Sequence, residues 1–237
     1  MSAFISEFIG VAILIILGDG VVANVVLNKT KGHNGGWIVI TFGWAMAVFI
    51  AVNVSLALGG KAHLNPAATI ALAAFGKLES AYVLPFLLGQ FLGAFTGAIV
   101  VWFSYKIHFD ETDDKDGILA VFCTAPAIRK PIYNLVTEII ATYILILGAL
   151  LFSKNDGNIG ALAALPVALL VLGIGLSLGG PTGYAINPAR DLGPRIAHYL
   201  LPIKNKGGSD WKYSWIPIAG PIVGAILAVW CFRLLGV

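Results

Sequence analysis

Six apolar runs almost free of charge, near 4–27, 37–58, 81–105, 132–153, 160–179 and 214–235, constrain this chain more than any other feature of its sequence. Each is long enough to cross roughly 30 Å of hydrocarbon as a helix. A helix satisfies its own backbone hydrogen bonds, which lipid cannot do for it, so the runs read as six membrane-spanning helices. Composition agrees: 58% of residues are hydrophobic and 11% charged, and the mean hydropathy is +0.88, which argues against a soluble domain. The first run does not read as a cleaved signal peptide, because Glu7 precedes its apolar stretch and no basic n-region or small-residue cleavage site accompanies it. The 15 basic residues are scattered around a net charge of +3, which argues against a nucleic-acid partner or a polybasic lipid anchor.

The chain reads as a single domain, 1–237, with repeat one at about 1–105, repeat two at about 132–237 and an exposed loop, 106–131, between them. That loop carries the acidic cluster Asp110-Glu111-Thr112-Asp113-Asp114, as a solvated segment would. Cys123 and Cys231 occupy dissimilar settings without metal-ligand spacing, so neither a disulfide nor a metal site is expected. No cofactor motif occurs.

The halves resemble each other. Glu7 and Glu138 open the first span of each half, and Gly89-x-x-x-Gly93-Ala94 in span three reappears as Gly220-x-x-x-Gly224-Ala225 in span six, both pairs at an offset of 131. Three spans is an odd number, so two such copies enter the membrane from opposite sides and form an inverted repeat whose functional region lies at the midplane. Small residues four apart let helices approach closely, and the glycines need no other role. Glu7 and Glu138, ionisable at membrane depth, are expected to be acceptors fixing irregular loops. Asp19, within Gly18-Asp19-Gly20, has no counterpart in the second half and stays unassigned.

Two short segments lie between spans. Ala62-His63-Leu64-Asn65-Pro66-Ala67 leads into a run ending near Gly76, and Gly183-Tyr184-Ala185-Ile186-Asn187-Pro188-Ala189-Arg190-Asp191 into one ending near Leu200. Both are too short to cross the bilayer. Asn is a favoured N-cap, and Pro suits the first helical position, where its missing N–H is harmless, so Asn65-Pro66 and Asn187-Pro188 each start a helix abruptly. Such segments read as re-entrant half-helices, and two of them, inverted by the repeat, can meet end to end at the bilayer centre. One such triplet is weak evidence of anything; two in matching context are not.

On these stretches the sequence resembles the major intrinsic protein family, the aquaporins and glycerol facilitators, over essentially its whole length. The resemblance implies an all-α membrane fold of six helices plus two half-helices. It also implies a passive channel for glycerol and other small neutral solutes including water, in a homotetramer within the plasma membrane, with both termini cytoplasmic. Asn65 and Asn187 would then stand at the pore centre, where the positive helix ends repel cations and the amides orient a neutral solute, breaking proton relay. The backbone before each triplet, expected to be extended, would offer the carbonyls of Ala62, His63, Leu64, Gly183, Tyr184, Ala185 and Ile186. The resemblance further marks Trp44, Gly175, Tyr184 and Arg190 as the selectivity filter, with Gly175 leaving room beyond what water needs. Pro66, Pro188 and Asp191 would be structural support, and Asp191, Arg195 and Pro217-Ile218 resemble the glycerol-conducting branch. Asp191 and Arg195 have the i,i+4 spacing of a helical ion pair. His63 is expected to offer backbone more than imidazole, and His33, His108 and His198 to lie in loops or interfaces.

Orientation comes from the resemblance alone. With both termini inside, Lys61, Lys77, Lys154 and Arg233 are the inner basic residues, 4 of 15, a distribution opposite to the positive-inside rule. Other expectations compatible with the chain are a water-dominant aquaporin or a broader channel passing urea, dihydroxyacetone or protonated lactic acid. A secondary transporter would need a coupling-ion site, and a structural junction protein would show little flux. An enzyme is not expected, since no His cluster or nucleophile-base pair shares a span.

Overall fold

A computed structural model describes residues 2–154 and 160–236. Six helices are long and apolar enough to cross a membrane: α1 (Ala3–Val26), α2 (Trp37–Ala57), then, after a short α3 (Pro66–Ala74), α4 (Ser80–Ser104). Two short helices follow, α5 (Lys106–Asp110) and α6 (Lys115–Phe122). The second half holds α7 (Pro131–Phe152), α8 (Leu165–Leu178), the short α9 (Pro188–Leu200) and α10 (Ile216–Leu234). The fifth span begins with a 3₁₀ turn, Gly160–Ala164, and turns α-helical at Leu165 because Pro166, in the first turn, needs no N–H partner there. The protein is therefore an all-α membrane protein, and no strand occurs among the described residues.

The outer surface is apolar, and charged side chains lie inside beside a hydrophobic core. Large apolar residues such as Ile38, Phe103 and Ile132 face outward at 71%, 67% and 76% exposure, whereas Glu7, Glu138, Asp191 and Arg195 lie inside at 0–1%. Lipid rewards the first arrangement, and internal hydrogen bonding permits the second.

The duplicated glycines are points of close helix-to-helix approach. In repeat one α1 lies against α4: a Cβ on Gly89 would sit 2.6 Å from the Phe4 carbonyl oxygen, and one on Gly93 2.4 Å from that of Phe8. In repeat two α7 lies against α10 in the same way, with a Cβ on Gly224 only 2.4 Å from the Ile139 oxygen. The half-helices cross over, α3 packing on α10 and α9 on α4, so each is held by the other repeat.

The central segment corrects an expectation. It is not simply an exposed loop: α5 and α6 bury Phe109, Ile118, Val121 and Phe122 completely, and α6 packs on α1 and α9. Its acidic residues lie at the surface, with Asp110 held by Lys106 at 2.5 Å and Glu111 paired with Lys29, and Ile107 and Ile128 are exposed as well. The physical reason is amphipathicity, with Ile118, Val121 and Phe122 sharing one face of a two-turn helix behind Asp114, whose side chain caps it.

Candidate functional site

The tips of α3 and α9 meet through a reciprocal pair of hydrogen bonds. Asn65 Oδ1 accepts from Ala67 N at 2.9 Å, capping α3, and Asn187 Oδ1 accepts from Ala189 N and Arg190 N at 3.0 and 3.2 Å, capping α9. Each amide then donates across the repeat, Asn65 Nδ2 to Ile186 O at 2.8 Å and Asn187 Nδ2 to Leu64 O at 2.7 Å. One N–H of each amide remains, beside a cavity that both asparagines line. The carbonyls of Leu64 and Ile186, expected to line the conduit, each accept from the opposite asparagine.

The backbone before each triplet also differs from expectation. Instead of running extended, it is left-handed at alternate residues, with φ of 52° at Ala62 and 50° at Leu64, and of 39° at Tyr184 and 46° at Ile186. A non-glycine residue there costs about 1–3 kcal/mol, so something must hold it. Two buried carboxylates do. Glu7 accepts from His63 N at 2.9 Å and Leu64 N at 2.7 Å, and Glu138 accepts from Ala185 N at 3.0 Å and Ile186 N at 2.9 Å. Consecutive N–H groups converging on one anion form a nest, and the carbonyls of the same stretch are left to face elsewhere. Gln90 Nε2 donates to Glu7 at 2.7 Å and Thr182 Oγ1 to Glu138 at 2.6 Å, completing the two supports. Gln90 and Thr182 were not anticipated from sequence, although a glutamine inside an apolar span was a signal for the first. His63 also uses its ring, Nδ1 lying 3.1 Å from Thr69 Oγ1.

Farther along the cavity, Arg190 lies with its guanidinium carbon 4.1 Å from the centroid of the Trp44 ring. The side chain is 8% exposed, yet its contacts to acceptors are long: Nη1 to Phe122 O at 3.5 Å and to Asp19 Oδ1 at 3.7 Å. Asp191 does not pair with it. That carboxylate binds Arg195, Nε to Oδ1 at 2.8 Å, and accepts from Thr124 N and Oγ1 at 2.8 and 2.7 Å. Arg195 also donates to the carbonyls of Thr124 and Ser209, so the pair ties α9 to two loops. His198 is buried rather than in a loop, its Nδ1 2.8 Å from Ser209 Oγ and its ring against Phe122.

Trp44, Tyr184 and Arg190 line a cavity of about 410 Å³, along with Asn65, Asn187, Ala62, His63, Leu64, Ala185, Ile186 and apolar side chains such as Val48 and Val171. Gly175 and Gly183 are not in that lining. At Gly183 a side chain would point at Thr124, and at Gly175 the space beside the backbone is occupied by Thr41 and the Tyr184 ring. Gly175 therefore makes room for a tyrosine rather than directly for a solute. Trp37 braces this corner, donating Nε1–H to Gly175 O at 3.0 Å with its ring edge-on to Tyr184.

Six spanning helices, two half-helices meeting at their N-termini and a lined internal cavity define a membrane transport protein of the inverted-repeat kind. The chain belongs to the major intrinsic protein family, whose family model matches residues 1–232. It is 58% identical to a probable glycerol uptake facilitator protein of Thermotoga maritima, an alignment covering 96% of each chain. It is 53% identical to the glycerol uptake facilitator protein of Streptococcus pneumoniae, over 99% of each. Among solved structures, the aquaglyceroporin from Plasmodium falciparum superposes with a TM-score of 0.83 at 33% identity, covering 95% of this chain and 92% of that one.

Proposed function

We propose that the chain is a passive channel for glycerol and other small neutral solutes, water included, that excludes ions and protons. The observation that carries this reading is Arg190: a buried guanidinium with its donors scarcely used, stacked on the Trp44 ring in a cavity that Tyr184 also lines. A polyol matches such a surface, its hydroxyl oxygens accepting from the guanidinium while its carbon backbone lies against the rings. The names of the relatives support the same solute class.

At the centre, the N-termini of α3 and α9 each bring about half a positive charge to the cavity. A cation meets both, and its lost hydration is not replaced. A neutral oxygen accepts from the spare N–H of Asn65 and Asn187, and accepting from both leaves its own protons directed outward, so the file reverses polarity there. Ala62, His63, Tyr184 and Ala185 supply carbonyls on either side.

In this reading residues 1–237 act as one channel unit, one pore per subunit of a homotetramer, in the plasma membrane with both termini cytoplasmic. Purified protein in liposomes, followed by stopped-flow light scattering under a glycerol gradient, tests it. Linear, non-saturating glycerol entry above bare lipid is expected and should survive ionophores. Uptake that collapses when ion gradients are dissipated would make the protein a secondary transporter, and flux no greater than lipid alone would make it a structural junction protein.

A further inference from the structure

Every feature that turns cations away from this cavity attracts anions. The half-helix N-termini and Arg190 are all positive, and the carboxylates of Glu7 and Glu138 are occupied by backbone N–H groups. Besides Glu138, four charged side chains are buried around the start of α9, and two of them, Asp191 and Arg195, pair with each other at 2.8 Å. That leaves Arg190 and Asp19. Asp19, on α1, is 0% exposed, and neither carboxylate oxygen has a hydrogen-bond partner; the cation beside it is Arg190, 3.7 Å from Oδ1. A buried carboxylate without a hydrogen-bond donor is costly in folding terms. Its neighbour fixes the surroundings: a Cβ on Gly18 would fall 2.2 Å from the Trp44 ring, so that ring packs directly on α1 at the residue before Asp19 while Arg190 stacks against it.

We propose that Asp19 is the counter-ion of Arg190, cancelling the guanidinium's charge at the constriction, and that discrimination against small anions depends on it. The inference rests on the channel reading above. At 3.7 Å the carboxylate is too far to occupy the guanidinium's hydrogen-bonding edge, yet near enough to cancel its field. Arg190 can then donate to a neutral solute without concentrating anions. Asp19 is a positioning and charge-setting residue; being fully buried, it does not touch the solute.

The test measures nitrate, which has no neutral form at neutral pH, against glycerol in the same proteoliposomes. Asp19→Asn removes the charge and nearly keeps the shape, and the nitrate-to-glycerol flux ratio is expected to rise roughly tenfold, as a site of one unbalanced sign concentrates its counter-ion. Asp19→Glu is expected to keep the wild-type ratio. A purely structural role would move both fluxes together, and a ratio unchanged in Asp19→Asn overturns the proposal. Should that variant not fold, Arg190→Gln reads the pair from the other side: the nitrate ratio should fall below wild type and the methylammonium-to-glycerol ratio rise, and no movement of either would again overturn it. Wild-type protein without glycerol flux would refute the channel reading instead, a distinguishable failure.

Discussion

A Cβ placed on Gly175 would lie 2.9 Å from Cζ of Tyr184. The two residues form one unit in which the glycine's missing side chain is the tyrosine's seat; Tyr184 lines the cavity and Gly175 does not.

Gly175→His should therefore act through Tyr184. The imidazole cannot share the seat, so the ring moves toward Arg190 and narrows the constriction. Glycerol flux is expected to fall at least about tenfold, equivalent to some 1.4 kcal/mol of barrier, and water flux by less. Paired swelling assays with the two solutes check this, and equal loss of both would sink the filter assignment.

Glu138→Ala strands one hydroxyl and two backbone N–H groups, those of Thr182, Ala185 and Ile186. At about 1–3 kcal/mol for each buried unsatisfied donor, the left-handed stretch before Asn187 should lose its hold. A lowered midpoint in detergent thermal unfolding, with flux falling in the protein that remains, is the expected outcome. Glu138→Gln keeps an acceptor and should lose less.

Arg195→Met leaves Asp191 charged and buried with only Thr124 to satisfy it. Breaking a buried pair from one side costs roughly 3–5 kcal/mol. Size-exclusion profiles of the solubilised variant should show aggregation or low yield, and the double change Asp191→Leu with Arg195→Met should recover part of the loss.

Gly224→Val places a branched side chain where the Ile139 carbonyl already stands, 2.4 Å from the new Cβ. Backbone cannot swing aside as a flexible side chain can, so α7 and α10 must separate, at about 1–3 kcal/mol or more. Gly173, where a Cβ would meet nothing within 4 Å, is the control: Gly173→Ala should leave the thermal midpoint unchanged or raise it.

The sequence by itself determined what is local or periodic. Apolar length specifies the spans, and the observed helices end within about two residues of the expected ones, save at the 3₁₀ start of the fifth. Asn before Pro specifies the half-helix starts, because the capping bond reaches only two or three residues along the chain. The equal offset of glutamates and glycines specifies the repeat. Tertiary structure alone decided which distant groups share each polar contact. Asn65 donates to Ile186 and Asn187 to Leu64, residues more than a hundred positions apart, and no propensity encodes a partner across a chain reversal. The same holds for α6 buried beneath an acidic face, for Tyr184 seated on Gly175 and for Asp19 set beside Arg190. In the bilayer interior a polar group must find its partner within the protein, and only the packed fold specifies which one lies within reach.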